Sequence, residues 1–156
     1  METVYIETTI VSYLVASPSR DLIAAARQAI TREWWREARE TYRCVTSEEV
    51  IREASLGDAD MSRRRLEILA SLPVLDADEK ARLLANELVQ AGLLPAAAVS
   101  DATHVAVATL NRVDVLVTWN CRHLANPHLL RGLRAFMAAR GLEMPEICTP
   151  LEMEGD

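Results

Sequence analysis

Apolar residues follow two patterns along this chain, short continuous runs and longer stretches in which they recur every three or four positions. A continuous run of a few residues predicts a strand that is buried on both faces of a parallel sheet. Such runs lie near residues 4–6, 42–45, 73–75, 113–119 and 146–148. The helical spacing predicts α-helices between them, at about 10–15, 20–40, 48–55, 61–71, 76–91, 95–111 and 127–140.

Alternation of short strands with helices is typical of the α/β class. It predicts a central, mainly parallel sheet of about four or five strands, flanked by helices. The chain has 156 residues without a repeat, a linker or a low-complexity segment, so we expect a single domain over residues 1–156. Polar residues that can cap a helix stand at four of the predicted helix starts, namely Ser19, Ser47, Asp76 and Asn126.

Composition and charge argue against several classes of protein. Half of the residues are apolar, and 23 acidic against 17 basic residues give a net charge of −6. A protein that holds nucleic acid through a broad basic surface has the opposite sign, so a nucleic-acid partner would need a local device such as a bound metal ion. Three widely spaced cysteines without a CxxC pair argue against a disulfide framework or a zinc site. With no signal peptide or long apolar stretch, we expect a cytoplasmic protein without a membrane span.

Polar side chains follow three of the predicted strands, at the edge of the sheet where ligands of open α/β folds bind. These residues are Glu7 and Thr9, then Ser47, Glu48, Glu49 and Glu53, and finally Thr118, Asn120 and His123. Carboxylates gathered at one edge repel each other unless a cation lies among them. The alternative is that these polar residues are helix caps or first-turn acids, which the helix dipole stabilises. We favour this structural role for Ser47, Glu48 and Asp76.

Asp101 lies in an apolar stretch, residues 96–108, that predicts a helix buried on most sides. An unpaired carboxylate is costly to bury, which leaves two interpretations. Asp101 pairs inside the protein with an arginine or with His104, three residues along the same helical face, or it points into a cleft and binds a metal. The sequence alone leaves both open.

Four segments carry a resemblance to a known family. VYIETTIVSYL, VTSEEVIREAS, SDATHVAVA and VLVTWNCRHLAN occur in this order and span nearly the whole chain. Together they resemble the PIN-domain family and, within it, the VapC-like toxins of bacterial and archaeal toxin–antitoxin pairs. The resemblance implies a PIN-like α/β domain that acts as a Mg²⁺- or Mn²⁺-dependent endoribonuclease and hydrolyses RNA with a metal-activated water. It also implies an antitoxin partner and a homodimer.

The resemblance assigns roles to individual residues. The first acid and the hydroxyl residue after it correspond to Glu7 and Thr9, the second acid to Glu53 with Glu49 as the alternative, and the third acid to Asp101. The last motif, Thr-x-Asn-x-x-Asp, corresponds to Thr118 and Asn120, with His123 in the place of its acid. Glu7, Asp101 and Glu53 are thus the implied metal ligands, and Thr9, Thr118 and Asn120 would orient them or the attacking water.

Two departures from the family pattern affect this prediction. Glu7 is one methylene longer than the usual aspartate, and His123 removes a negative charge, which favours one metal ion over two. A catalytically weakened PIN-like module that binds a partner or RNA is therefore one alternative, and a PIN nuclease of RNA processing without an antitoxin is another.

The helix predicted at 20–40 carries two adjacent tryptophans, Trp34 and Trp35, which face different directions. We expect one of them in the core and the other on the antitoxin surface.

Overall fold

A parallel sheet lies at the centre of the structure, a computed structural model that describes residues 1–153. Residues 154–156 of the predicted 1–156 domain lie outside the described residues. The sheet contains β1 (Thr3–Ile6), β2 (Arg43–Ser47), β3 (Val74–Leu75), β4 (Val115–Val117) and β5 (Glu146–Cys148). Its five strands are arranged in the order β3-β2-β1-β4-β5, and each neighbouring pair is parallel. The predicted α/β class and parallel sheet are confirmed.

Within residues 1–153, seven α-helices surround the sheet. They are α1 (Thr8–Val15), α2 (Leu22–Thr41), α3 (Glu48–Ala54), α4 (Ala59–Leu69), α5 (Glu79–Gln90), α6 (Val99–Leu110) and α7 (Pro127–Ala139). A 3-10 turn at Ala96–Ala98 replaces the first turn of the helix predicted from residue 95. No helix of the described part is both long enough and apolar enough to cross a membrane.

Two of the four predicted helix caps are confirmed. The side chains of Ser47 and Asn126 accept hydrogen bonds from the first-turn N–H groups of α3 and α7. The prediction for Ser19 is wrong, because its hydroxyl accepts a hydrogen bond from the N–H of Asp21, and the Asp21 carboxylate caps α2.

Asp76 is also not a helix cap. The chain stays extended beyond β3, because the N–H of Ala77 donates to a carboxylate oxygen of Glu48 at 2.8 Å. The cap of α5 therefore lies two residues later than predicted, at Asp78. Glu48 itself lies in the first turn of α3, which is the position that we favoured for it.

The centre of the sheet is its most deeply buried part. The apolar side chains of β1 and β4 contribute to one hydrophobic core, and α6 lies against it with residues 102–109 buried. Ile6 pairs with Val117 in the parallel register, and the N–H of Glu7 donates to the Val117 carbonyl at 3.2 Å. This register places the residues that follow β1 beside those that follow β4, which sets the position of the candidate site.

Candidate active site

Glu7 is the most deeply buried acid at the carboxyl edge of the sheet, with 3% of its surface exposed. It follows β1 directly and caps α1. Its Oε1 atom accepts hydrogen bonds from the N–H of Thr9 at 3.1 Å, from the Thr9 hydroxyl at 2.5 Å and from the Thr118 hydroxyl at 2.6 Å. The structure thus brings together the first and last motifs of the family resemblance.

The two threonines are held by the backbone beyond β4. The N–H of Trp119 donates to the Thr9 hydroxyl at 2.8 Å, and the N–H of Asn120 donates to the Thr118 hydroxyl at 2.9 Å. Each hydroxyl therefore accepts from the backbone and donates its single hydrogen to Glu7. All three bonds end on Oε1, so Oε2 of Glu7 has no hydrogen-bond partner within residues 1–153.

Glu53, near the end of α3, is the second acid of the site. Its Oε1 atom accepts a hydrogen bond from the Thr8 hydroxyl at 2.6 Å and lies 2.5 Å from Nε2 of His104. The His104 ring is fully buried, and its other nitrogen lies 2.6 Å from the hydroxyl of Tyr5. Tyr5 in turn lies 2.6 Å from the hydroxyl of Ser47. A chain of hydrogen bonds therefore runs beneath the carboxylates.

The pKa directions show how strongly these groups interact. Burial works to raise the pKa of Glu53, but hydrogen bonds from His104 and Thr8, together with the histidine charge, lower it to about 2. Burial raises the pKa of Glu7, against the opposing effects of His104, Thr118 and Thr9. Burial works to lower the pKa of His104, but the hydrogen bond to Glu53 and the nearby carboxylates raise it. The site therefore favours positive charge among its carboxylates.

Glu7, Glu53 and His104 form the one group of possible metal ligands found within residues 1–153. Each of them offers a ligand atom that lies within 4.8 Å of those of the other two. Two carboxylates this close repel each other unless a cation relieves the repulsion, and each has an oxygen that no described residue holds. Carboxylate oxygens are the ligands that Mg²⁺ and Mn²⁺ prefer. The donor set therefore fits a divalent cation.

Asp101 lies one turn before His104 on α6 but outside this group of three. Its Oδ2 atom lies 3.2 Å from Nδ1 of His123, so its partner among the described residues is this histidine and not His104 or an arginine. Burial raises the pKa of Asp101, with the charge of Glu53 adding to this and the two histidines opposing it. A metal role for Asp101 stays a prediction.

Asn120 shapes the loop that carries His123. Its side-chain oxygen accepts hydrogen bonds from the N–H of Arg122 at 3.2 Å and from the N–H of His123 at 3.0 Å. In the structure Asn120 therefore fixes the turn after β4, and the orienting role that the resemblance implies for it stays a prediction. The turn brings His123 to Asp101 at the place where the family motif carries an acid.

Glu49 does not join Glu7 and Glu53. Its carboxylate receives three hydrogen bonds from the Arg52 guanidinium, the shortest at 2.6 Å, and one from the Ser100 hydroxyl at 2.6 Å. Burial works to raise the pKa of Glu49, but these hydrogen bonds outweigh it and lower the pKa. Of the two candidates for the second acid, the structure brings Glu53 to the site.

Sequence analysis missed two participants in the site, Tyr5 and Thr8. Tyr5 reads as a strand residue in an apolar run, but a buried tyrosine hydroxyl needs a hydrogen-bond partner, which is a signal of a polar group nearby. Thr8 stands between Glu7 and Thr9, and no sequence motif assigns it a role. Its hydroxyl donates to Glu53, which ties the start of α1 to the end of α3.

The two tryptophans of α2 lie in different environments, as expected. Trp34 is only 5% exposed because it lies on the same helical face as the buried Thr31 and Ala38. Trp34 is therefore not available as a surface contact. Trp35 is half-buried and packs against the edge of the core, so it alone of the pair stays a candidate for a partner surface.

Solved structures with a similar fold come from toxin–antitoxin systems. The toxin VapC20 of Mycobacterium tuberculosis, named as cleaving the sarcin–ricin loop, gives a TM-score of 0.61 at 16% identity over 77% of this chain and 92% of that chain. A toxin–antitoxin complex from Klebsiella pneumoniae gives 0.59 at 16% identity over 81% and 93%. DNA-bound VapBC from Salmonella typhimurium gives 0.55 at 18% identity over 96% and 99%.

These likenesses establish the fold. No protein-family model and no curated protein matches the sequence. The chain has the PIN-like fold of the VapC structures, as the sequence motifs led us to expect.

Proposed function

We propose that this chain is a metal-dependent endoribonuclease of the VapC type and the toxin of a toxin–antitoxin pair. The observation that carries the proposal is the convergence of Glu7, Glu53 and His104 at the carboxyl edge of a PIN-like sheet. These side chains come from three separate elements and lie where open α/β sheets bind their ligands. The fold shared with VapC toxins supports the same interpretation.

Glu7 and Glu53 would hold the cation through the oxygens that no described residue occupies. Asp101, at the rim of the site, would hold it directly or through water. When bound, Mg²⁺ or Mn²⁺ makes a coordinated water more acidic and stabilises negative charge on the phosphoryl oxygens. The hydroxyls of Thr9 and Thr118 keep the Glu7 carboxylate in place. A cation here also lets a chain of net charge −6 accept an anionic RNA.

An antitoxin is the partner that we propose. Several structural neighbours are VapBC complexes, among them VapBC2 of Rickettsia felis bound to a fragment of its promoter DNA, with a TM-score of 0.54 at 18% identity. On this chain, the half-buried Trp35 of α2 is the proposed contact. Coexpression with a small protein encoded beside this gene, followed by copurification, tests the partner.

RNA cleavage tests the activity. We expect the purified chain to cut RNA with Mn²⁺ or Mg²⁺ and to lose this activity in EDTA and in the variant Glu53→Gln. Glu67→Gln is the matched control, because Glu67 is an exposed glutamate of α4 whose one ion pair within residues 1–153 is with Arg63 at 3.2 Å. Cleavage that persists in EDTA, or that Glu53→Gln leaves unchanged, contradicts the proposal.

One observation favours a second candidate, a catalytically weakened PIN-like module that binds a partner or RNA. Two of the acids already have histidine partners within the protein, since His104 contacts Glu53 and His123 contacts Asp101. These contacts order the two carboxylates without a bound metal, as a module that only binds a partner or RNA would require. RNA binding without cleavage of total RNA, tRNA or ribosomal RNA in either metal would favour this second candidate.

A further inference from the structure

His104 lies beneath the two carboxylates with both ring nitrogens engaged. Nε2 is 2.5 Å from Oε1 of Glu53, and Nδ1 is 2.6 Å from the hydroxyl of Tyr5. The ring is fully buried, and the Tyr5 ring stands edge-on to it with centroids 5.7 Å apart. The imidazole is therefore held in one orientation.

The hydrogen on Nε2 must point at Glu53. An ionised carboxylate only accepts hydrogen bonds, so the nitrogen facing it carries the hydrogen. When the ring is neutral, the Tyr5 hydroxyl donates to Nδ1, and when it is charged, the same hydroxyl accepts from Nδ1–H. In both states Nε2–H donates to Oε1 of Glu53, and Tyr5 occupies the other nitrogen.

The far end of this chain of hydrogen bonds is anchored on the helix that carries Glu53. The Tyr5 hydroxyl contacts the hydroxyl of Ser47, which accepts a hydrogen bond from the N–H of Val50 at 3.2 Å as the cap of α3. The path of hydrogen bonds therefore leaves α3 at its N-terminal cap, Ser47, and returns to the helix at Glu53. This closed path fixes the Glu53 side chain relative to its own helix.

We propose that His104 and Tyr5 are positioning residues, which hold Oε1 of Glu53 so that its other oxygen faces the metal. The inference rests on the proposed function, because it assigns Glu53 to a metal site. In protein metal sites, loss of a group that orients a ligand typically costs about 10- to 100-fold in metal affinity. His104 is in this view no metal ligand, since its Nε2 hydrogen is committed to Glu53.

Two substitutions at one position separate positioning from packing. The amide nitrogen of glutamine reaches the place of a histidine Nε2, whereas asparagine is shorter and reaches only the place of Nδ1. His104→Gln therefore keeps a donor for Glu53, and His104→Asn loses it. We expect Mn²⁺ affinity, measured by calorimetry, to stay within about 3-fold of the original for His104→Gln and to fall about 10- to 100-fold for His104→Asn.

Tyr5→Phe tests the other end of the path without creating a large cavity. We expect Mn²⁺ affinity to fall by several fold, and the ¹⁵N resonances of the His104 ring to show loss of the hydrogen bond at Nδ1. His128→Gln, a change at an exposed histidine of α7, is the control and leaves both readouts unchanged. Thermal midpoints of all variants identify any that do not fold.

The outcomes are distinct. Equal losses of affinity in His104→Gln and His104→Asn, with both folded, overturn the positioning role and leave the proposed function intact. An unprotonated Nε2 in the ¹⁵N spectrum also overturns it, whether or not metal binds. Failure of the unaltered chain to bind Mn²⁺ or Mg²⁺ overturns the metal-dependent function and the positioning role together.

Discussion

The hydroxyl of Thr118 lies 2.6 Å from Oε1 of Glu7, although 111 positions separate the two residues in the chain. Parallel pairing of β1 with β4 makes this contact, because it ends both strands at the same edge of the sheet. A carboxylate this deeply buried needs such donors, since its desolvation is otherwise uncompensated. The contact therefore serves stability as well as the site.

Removal of the Thr118 hydroxyl is expected to destabilise the protein. Thr118→Val keeps the shape of the side chain but deprives Glu7 of one of its three donors, which we expect to cost about 1–3 kcal/mol of unfolding free energy. Thr109→Val is the matched control, because the Thr109 hydroxyl donates only to a carbonyl within α6. Urea denaturation measures the unfolding free energy of both variants. Equal decreases would show that the hydrogen bond from Thr118 to Glu7 contributes no additional stability.

The variant Asp101→Asn distinguishes a role of Asp101 as a metal ligand from a role in a structural ion pair. Because burial raises the pKa of Asp101, replacing it by a neutral amide relieves desolvation, and the thermal midpoint is expected to stay nearly unchanged or to rise. Metal-dependent RNA cleavage is expected to be lost. A large fall in the midpoint would instead assign Asp101 to structural pairing with His123, from which it lies 3.2 Å.

We expect the unfolding free energy to fall at low pH because Glu53 becomes protonated. Its pKa falls from 4.5 to about 2 on folding, so the unfolded state binds more protons in this window and stability rises with pH. The contribution is present in full above pH 4.5 and is lost as the pH falls towards 2. Because the side chain is partly exposed, we expect on the order of 2 kcal/mol.

The measurement compares the original chain with Glu53→Gln in EDTA. The difference in unfolding free energy between them should shrink as the pH is lowered from 5 to 2, within the window that the two pKa values define. Glu67→Gln, at an exposed position, is the control and should change the unfolding free energy only slightly. A difference for Glu53→Gln that does not change with pH would contradict the lowered pKa.

The tryptophans of α2 are expected to differ in what their removal changes. Trp34→Ala should lower the unfolding free energy by about 3–5 kcal/mol, because a large buried side chain is lost from the core. Trp35→Ala should cost much less stability and should weaken binding of a copurified antitoxin. Denaturation and pull-down measure the two effects, and unaltered antitoxin binding by Trp35→Ala would remove Trp35 from the proposed surface.

Much of the fold could be predicted from local patterns. Continuous apolar runs identify the strands, since side chains buried on both faces leave no room for alternation. Two helix starts were predicted wrongly, because Asp21 and Asp78 act as caps in place of the nearby Ser19 and Asp76. Ser19 is engaged by a local hydrogen bond from the N–H of Asp21, and the chain after Asp76 is held by the contact between Ala77 and Glu48. Capping preferences alone do not contain that information.

The site was predictable only in part. The family motifs select Glu7 and Thr118, which the parallel register then brings together. The motif spacing favours Glu53 over Glu49 as the second acid, and the structure adds the physical reason, since Arg52 binds the Glu49 carboxylate. The partner of His104 was not predictable, since spacing along α6 suggests Asp101 and the side chain instead crosses to another helix.

Helix α3 has only seven residues, too few to persist on its own in water. Its order comes from attachments at both ends, the cap at Ser47 and the contacts of Glu53 with Thr8 and His104. Swinging Glu53 out of place would break the same contacts that keep the helix folded. The site is therefore preorganised, because the entropy of arranging its carboxylates is lost when the chain folds and not when a ligand arrives.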